Sequence, residues 1–164
     1  MQRFTSKATS INSTKLPAVF SRATLSAQTV LDYGSGRYTE HIRKALPDIL
    51  YLPYDPYNQP DDVNRSSYNA IIRCIRTGKP VDVVCSNVLN VIDDDGTIQR
   101  IADEIQWIVT RSGGTGYITI YEGDRSGIGR QTGTDQYQRN EKLRNYTRFF
   151  KNARIKNGMI VIGR

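Results

Sequence analysis

The fold is decided by the stretch TVLDYGSG at residues 29–36, in which a short apolar run stops at two closely spaced glycines. A run of this kind is typical of a buried strand that ends in a tight turn. Apolar residues at helical spacing follow the glycines until Pro47, and a second short apolar run occupies residues 49–54. The stretch therefore predicts a strand, a turn and a helix that lead into a second strand.

The same alternation continues along the chain. Residues 67–77 predict a helix, and residues 81–85 predict a buried strand. An apolar stripe at positions 98–109 predicts an amphipathic helix, and the acids at 93–95 would cap its first turn. Residues 117–122 predict another strand, because apolar residues alternate there with polar or aromatic ones.

The chain closes on a β-hairpin signal. Residues 149–155 and 159–162 flank the dipeptide Asn157-Gly158, which accepts the positive φ angles of a tight hairpin turn. Strands that alternate with helices predict an α/β fold with a mostly parallel sheet, to which the hairpin adds antiparallel pairing. No third strand is visible between Asp61 and Lys79.

Length and composition predict a single domain. Residues 1–15 are rich in Ser, Thr, Asn and Lys and predict a flexible arm, which leaves residues 16–164 as one domain. No apolar run approaches the roughly 20 residues that cross a bilayer, and the first ten residues lack an apolar signal region. We therefore expect a cytoplasmic protein. The two cysteines, Cys74 and Cys85, and the single histidine predict reduced thiols and no metal site.

The positive charge is concentrated in one part of the chain. The formal net charge is +7, and residues 125–156 contain nine basic residues and only two acids. Such a one-sided excess favours an anionic partner. Within this segment, the candidate nucleic-acid contacts are Arg125, Arg130, Arg139 and Lys142.

Aromatic residues and glycines within and beside the basic segment leave several interpretations open. Tyr137, Tyr146, Phe149 and Phe150 lie between the basic residues and suit base stacking, or else the phenylalanines face the core. The glycine-rich stretch 123–133 is a candidate phosphate loop, a lid or a solvated connection.

Three further features point to a ligand site at one edge of the sheet. The turn at Gly34 and Gly36 allows a ligand to approach the backbone closely. Asp55 ends the second strand, where a carboxylate can accept hydrogen bonds from both hydroxyls of a ribose. Residues 82–93 form a buried strand that opens into a polar loop. In open α/β sheets, ligands bind at the carboxyl ends of such strands.

Together these segments resemble the cofactor site of class I S-adenosylmethionine-dependent methyltransferases. They are also similar to a smaller group, the methyltransferase-like proteins of phages and of DNA phosphorothioation gene neighbourhoods. That group pairs Asp-Tyr-Gly-x-Gly with Asp-Pro-Tyr and with Val-Leu-Asn-Val-Ile-acid. Here the three motifs stand at residues 32–36, 55–57 and 88–93. The resemblance implies a Rossmann-like methyltransferase sheet and S-adenosylmethionine as the cofactor.

The resemblance also implies a role for each residue of these motifs. Gly34 and Gly36 would pass under the methionine part of the cofactor, and Asp32 would hold the turn and face the cofactor's amino group, directly or through water. Asp55 would accept the ribose hydroxyls. The resemblance also implies that Pro56 and Tyr57 border the adenine and that Asn87 and Val88 lie near the sulfonium. Arg37 is placed at the methionine carboxylate by its position after the second glycine and not by a family motif.

The sequence leaves two classes of function open. The first is a methyltransferase with an unidentified acceptor, nucleic acid among the candidates, in which Glu122 or Asp124 would serve as base. The second is a degenerate, non-catalytic module of the same fold that binds nucleic acid or a partner protein. A nicotinamide site fits less well, because it needs a third glycine where Thr39 stands. His41 is interpreted as a solvated residue.

Overall fold

The computed structural model describes residues 1–7 and 15–163. Part of the predicted flexible arm, residues 8–14, lies outside the described residues. The α-helices are α1 (Ala18–Arg22), α2 (Glu40–Ala45), α3 (Asp61–Arg76) and α4 (Asp95–Ser112). The strands are β1 (Thr29–Tyr33), β2 (Leu50–Tyr54), β3 (Asp82–Ser86), β4 (Thr115–Thr119), β5 (Arg130–Gly133), β6 (Gln136–Gln138), β7 (Arg154–Lys156) and β8 (Met159–Gly163).

Six strands form one sheet in the order β2-β1-β3-β4-β8-β7. Strands β1 to β4 pair in parallel, whereas β8 runs antiparallel to both β4 and β7. The prediction of an α/β fold with a mostly parallel sheet and an antiparallel C-terminal hairpin is therefore confirmed. The arrangement is compatible with a Rossmann-like fold. Helix α3 leads from β2 to β3, and the described residues form no additional strand between them.

The two faces of the sheet are covered unequally. On one face, α3, α4 and a 3₁₀ helix at Leu143–Phe149 pack over the larger apolar core, which includes Leu31, Val83 and Ile118. The opposite face has a smaller core, with Val19 and Phe20 of the short helix α1 at its centre. Every residue of β1 is buried because both faces are covered at that strand.

Helix α4 follows the sequence signals closely. The side chain of Asp94 accepts a hydrogen bond from the Thr97 N–H (2.8 Å), so that one of the predicted capping acids is the N-cap. Ile98, Ile105 and Val109 are buried on the stripe that the spacing predicts. Gly113 ends the helix at a φ of 75°, a left-handed conformation that glycine adopts without strain.

The structure differs from the predictions in the segment between β4 and β7. Strand β4 begins at Thr115 and ends at Thr119, earlier than the predicted strand at residues 117–122. Beyond it, β5 and β6 pair as a separate two-stranded sheet that no sequence signal indicated. These strands are polar and partly exposed, so they lack the apolar alternation on which strand prediction depends. Among the described residues, no helix is both long and apolar enough to span a membrane.

Candidate functional site

A pocket of about 370 Å³ lies at the carboxyl ends of the parallel strands. Strand β1 stands between β2 and β3 in the sheet. The strand order therefore reverses here, because β2 lies on one side of β1 and the strands that follow β2 lie on the other. The walls include residues 33–36 at the end of β1, 55–58 after β2 and 86–88 at the end of β3. We call this space the edge pocket. Open α/β sheets bind their ligands at such a topological switch point.

The carboxylate of Asp55 joins two walls of the edge pocket. Its Oδ2 accepts hydrogen bonds from the N–H of Gly36 (3.0 Å) and from Nδ2 of Asn58 (3.1 Å). Its Oδ1 accepts from the N–H groups of Tyr57 (2.9 Å) and Asn58 (3.0 Å). One buried carboxylate therefore fixes the turn after β1 against the turn after β2.

Gly34 allows the turn after β1 to pack tightly on the pocket floor. Its φ is 78°, and a Cβ at this position would lie 2.3 Å from Cγ2 of Val88. The N–H groups of Gly34 and Ser35 both donate to the carbonyl oxygen of Tyr54, at 2.7 and 3.2 Å. With the Gly36 N–H bound to Asp55, every backbone donor of the turn is engaged within the protein.

The charge of the edge pocket is opposite in sign to that of the whole chain. Among the described residues that line it, Asp55 is the only one with a charged side chain at neutral pH. The other walls are formed by polar amides and hydroxyls and by apolar side chains such as Val88, Ile92 and Ile101. An enclosed site of this composition favours neutral or cationic ligands over anions.

Most of the predicted cofactor residues meet at this pocket. Gly34, Gly36, Asp55, Pro56, Tyr57, Asn87 and Val88 all line it. Sequence reasoning missed Asn58, Ser86, Thr97 and Ile101. Asn58 directly follows the Asp-Pro-Tyr motif, and that adjacency was the one signal that could have identified it.

Asp32 does not line the pocket. Its carboxylate is buried and accepts a hydrogen bond from the hydroxyl of Tyr51 (2.5 Å). Burial raises the pKa of Asp32 to about 7, and the hydrogen bond from Tyr51 opposes this rise. Asp32 is therefore a buried residue of β1 that accepts a hydrogen bond from Tyr51, and its role toward a cofactor stays a prediction.

Arg37 also lies outside the pocket lining. Its guanidinium Nη2 donates to the carbonyl oxygen of Lys7 at 3.5 Å. The chain turns away from the pocket before α2 begins at Glu40, so the residue after the second glycine extends toward the N-terminal segment instead.

Residues 1–7, which we call the N-terminal segment, close one side of the edge pocket. Gln2, Thr5 and Ser6 are among the lining residues. Thr5 donates its N–H to Oδ1 of Asp135 (2.8 Å) and its hydroxyl to Oδ2, and the Ser6 N–H binds the Asp135 carbonyl (3.0 Å). The Phe4 ring stacks on Tyr137 at 5.6 Å. This part of the predicted flexible arm is therefore held against the domain.

The two candidate bases, Glu122 and Asp124, do not line the pocket. Glu122 accepts the Leu143 N–H (2.7 Å) and forms an ion pair with Arg125 (2.6 Å). Asp124 accepts the Ser126 N–H at 2.9 Å. These donors lower the pKa of both carboxylates, so the surroundings stabilise their charged forms rather than a proton-accepting role near neutral pH.

The basic segment is partly neutralised within the fold. Arg139 is 12 % exposed and pairs with Asp95 (2.5 Å) and Glu141 (3.0 Å). Arg125 is bound by Glu122, whereas Arg130 and Lys142 are exposed. The side chains of Tyr146, Phe149 and Phe150 are buried, which favours the core alternative over base stacking for these three residues.

No protein-family model, curated protein or solved structure matches the chain. Among the described residues, no cluster of three or more His, Cys, Asp and Glu side chains is placed to hold a metal ion. Both cysteines are buried and carry free thiols.

The contacts of Asp135 predict how firmly the N-terminal segment is held. In Asp135→Ala, the Thr5 and Lys7 N–H groups lose their carboxylate acceptor, so the N-terminal segment opens more readily. We expect the amide of Thr5 to exchange with deuterium at least tenfold faster, measured by NMR. The matched control, Asp103→Ala, alters an exposed carboxylate on α4 and should leave this rate unchanged. Equal exchange in wild type and Asp135→Ala would contradict the contact.

The raised pKa of Asp32 predicts a specific pH dependence of stability. Its folded-state pKa of about 7 exceeds the unfolded value, so the folded state retains a proton that the unfolded state releases. The stability that this group contributes is complete below pH 4 and is lost as pH rises toward 7. The free energy of unfolding of Asp32→Asn, relative to wild type, should therefore increase by roughly 2–3 kcal/mol between pH 5 and 8. Urea denaturation at both pH values measures this, and parallel pH curves would contradict it.

Proposed function

We propose that the chain binds S-adenosylmethionine in the edge pocket and transfers its methyl group to an acceptor, as class I methyltransferases do. The observation that carries the proposal is the charge of the pocket, where Asp55 is the only charged lining residue among those described. S-adenosylmethionine carries a sulfonium and an ammonium cation against one carboxylate. A pocket with a single negative charge, in a chain of net charge +7, suits a ligand of this kind.

The size and polar groups of the pocket support the same ligand. A volume of about 370 Å³ is within the range of sites for small molecules and cofactors. Oδ1 of Asn58 is buried and accepts no hydrogen bond from the described residues. A buried acceptor of this kind favours a ligand with an N–H or O–H donor, such as an adenine amino group or a ribose hydroxyl.

A nicotinamide dinucleotide fits this pocket poorly. Its pyrophosphate is negatively charged and is bound in dinucleotide folds by free backbone N–H groups at a helix N-terminus. Here the N–H groups of Gly34, Ser35 and Gly36 are all bound within the protein. No arginine or lysine is found among the described lining residues that would replace them.

The chemistry of methyl transfer makes modest demands on the protein. The bound cofactor supplies an electrophilic methyl group on its sulfonium, ready for in-line displacement. What the chain must do is hold both partners in line and exclude water. Asp55 fixes the two turns that form the cofactor side, and the N-terminal segment covers the pocket beside Thr5 and Ser6. Neither the alignment of the two partners nor the exclusion of water requires Glu122 or Asp124.

The acceptor is a separate part of the proposal. Nucleic acid is one candidate, supported by the net charge of +7 and by the exposed side chains of Arg130 and Lys142. We further propose that the protein acts in the cytoplasm, because two buried free thiols suit a reducing compartment.

A second candidate function is favoured by one observation. The carboxylate of Asp55 already accepts four hydrogen bonds from the protein, which leaves little acceptor capacity for ribose hydroxyls. A module that keeps the fold but acts only by binding a partner would also show this arrangement. The two functions differ in product, since only the enzyme releases S-adenosylhomocysteine.

Calorimetric titration with S-adenosylmethionine tests the proposed site. We expect micromolar binding to the wild type and at least tenfold weaker binding to Asp55→Ala, about 1.4 kcal/mol or more, because both turns lose their shared acceptor. Asp103→Ala removes an exposed carboxylate outside the pocket and should bind as the wild type does. Circular dichroism establishes that each variant is folded. A folded wild type that does not bind would contradict the proposal.

The same samples separate the enzyme from the module. Incubation with S-adenosylmethionine and DNA or RNA should yield S-adenosylhomocysteine in the wild type above the level in Asp55→Ala, as measured by mass spectrometry. Binding without this product for any acceptor tried would favour the module.

A further inference from the structure

A second cavity, of about 420 Å³, lies on the opposite face of the sheet from α4. It is bounded by Arg22 at the end of α1, by Tyr117 of β4 and by the β7–β8 hairpin with its turn at Asn157. We call it the hairpin cleft. It shares no lining residue with the edge pocket, and its position follows from the small size of α1, which covers only part of this face.

The hairpin cleft has an apolar floor and a basic rim. Tyr117, Met159 and Val161 are buried beneath it. Arg22, Arg154 and Lys156 are exposed at its rim, and no acidic residue is found among the described lining residues. The cleft therefore places cations beside an apolar surface.

Two of the rim cations line the same cleft without an acidic lining residue between them. Arg22 and Lys156 have no ion-pair partner among the described residues. A Cβ on Gly158 would lie 3.4 Å from Nη1 of Arg22, so this guanidinium stands against the turn that follows Lys156. Like charges around one cleft create a positive potential there, and a bound anion is stabilised by it.

Protection of the sheet edge accounts for only part of this charge. Strand β7 is the outer strand of the sheet, all three of its residues are exposed, and charged side chains on edge strands discourage pairing with other chains. Arg22, however, belongs to α1 and not to the edge strand, so its position over the cleft is not explained by edge protection.

We propose that the hairpin cleft binds a nucleotide unit, with its phosphate at Arg22 and Lys156 and its base or sugar against the apolar floor. Arginine recognises phosphate oxygens through paired N–H groups, and lysine does so as a point charge. The volume of the cleft is that of a small-molecule site. The unit comes either from a free nucleotide or from a nucleic-acid strand. This inference does not rest on the function proposed for the edge pocket.

Fluorescence anisotropy with two labelled probes, ATP and the oligonucleotide dT12, tests the inference. We expect at least one probe to bind the wild type and to bind Arg22→Ala/Lys156→Ala at least tenfold more weakly. The matched control, Arg65→Ala/Lys79→Ala, removes two exposed cations that line neither cavity and should change the affinity less than twofold. For dT12, the slope of log K against log salt should also become shallower by about 0.7 for each phosphate that the double variant no longer binds.

The comparison of the two probes identifies the source of the phosphate. Binding of ATP alone supports a free nucleotide, and binding of dT12 alone or of both probes supports a strand. Asp55→Ala should retain the binding, which separates the hairpin cleft from the edge pocket. The inference is overturned if neither probe binds, if Arg22→Ala/Lys156→Ala binds as the wild type does, or if unphosphorylated adenosine competes as well as ATP.

Discussion

The candidate site depends on one buried carboxylate. Asp55 binds the turn that ends β1 through the Gly36 N–H and its own turn through the N–H groups of Tyr57 and Asn58. Parallel strands bring the two turns to the same edge of the sheet, but the backbone pairing ends at Tyr33 and Tyr54. Beyond that point the Tyr54 carbonyl accepts the N–H groups of Gly34 and Ser35, and the Asp55 carboxylate joins Gly36 to the turn after β2. The shape of the edge pocket follows from these contacts.

Short-range patterns explain why much of the fold was predictable. The strand, turn and helix after Thr29, the stripe of α4 and the hairpin turn at Asn157 are each set by neighbouring residues. The contact between Thr5 and Asp135 joins residues 130 positions apart, and no local pattern encodes it. The direction of a side chain at a strand end is equally non-local, which is why Asp32 was expected at the pocket and lies beneath it.

Charge is distributed differently in the fold than along the sequence. The sequence concentrates basic residues at 125–156, yet Arg139 of this segment is mostly buried and forms ion pairs with Asp95 and Glu141. The edge pocket carries only the charge of Asp55 among its described lining residues, whereas the hairpin cleft joins Arg22 to cations from the far end of the chain. Two sites of opposite charge thus lie on one sheet. This separation suits two ligands of different chemistry.

The edge pocket is the proposed binding site of S-adenosylmethionine. Titration of ¹⁵N-labelled protein with S-adenosylmethionine, followed by amide NMR spectra, tests this proposal because the result locates the ligand. We expect shifts at the pocket residues Gly34, Gly36, Tyr57, Asn58 and Val88, with the amides at 154–159 unmoved. Shifts confined to other parts of the chain, or no shifts at millimolar ligand, would contradict it.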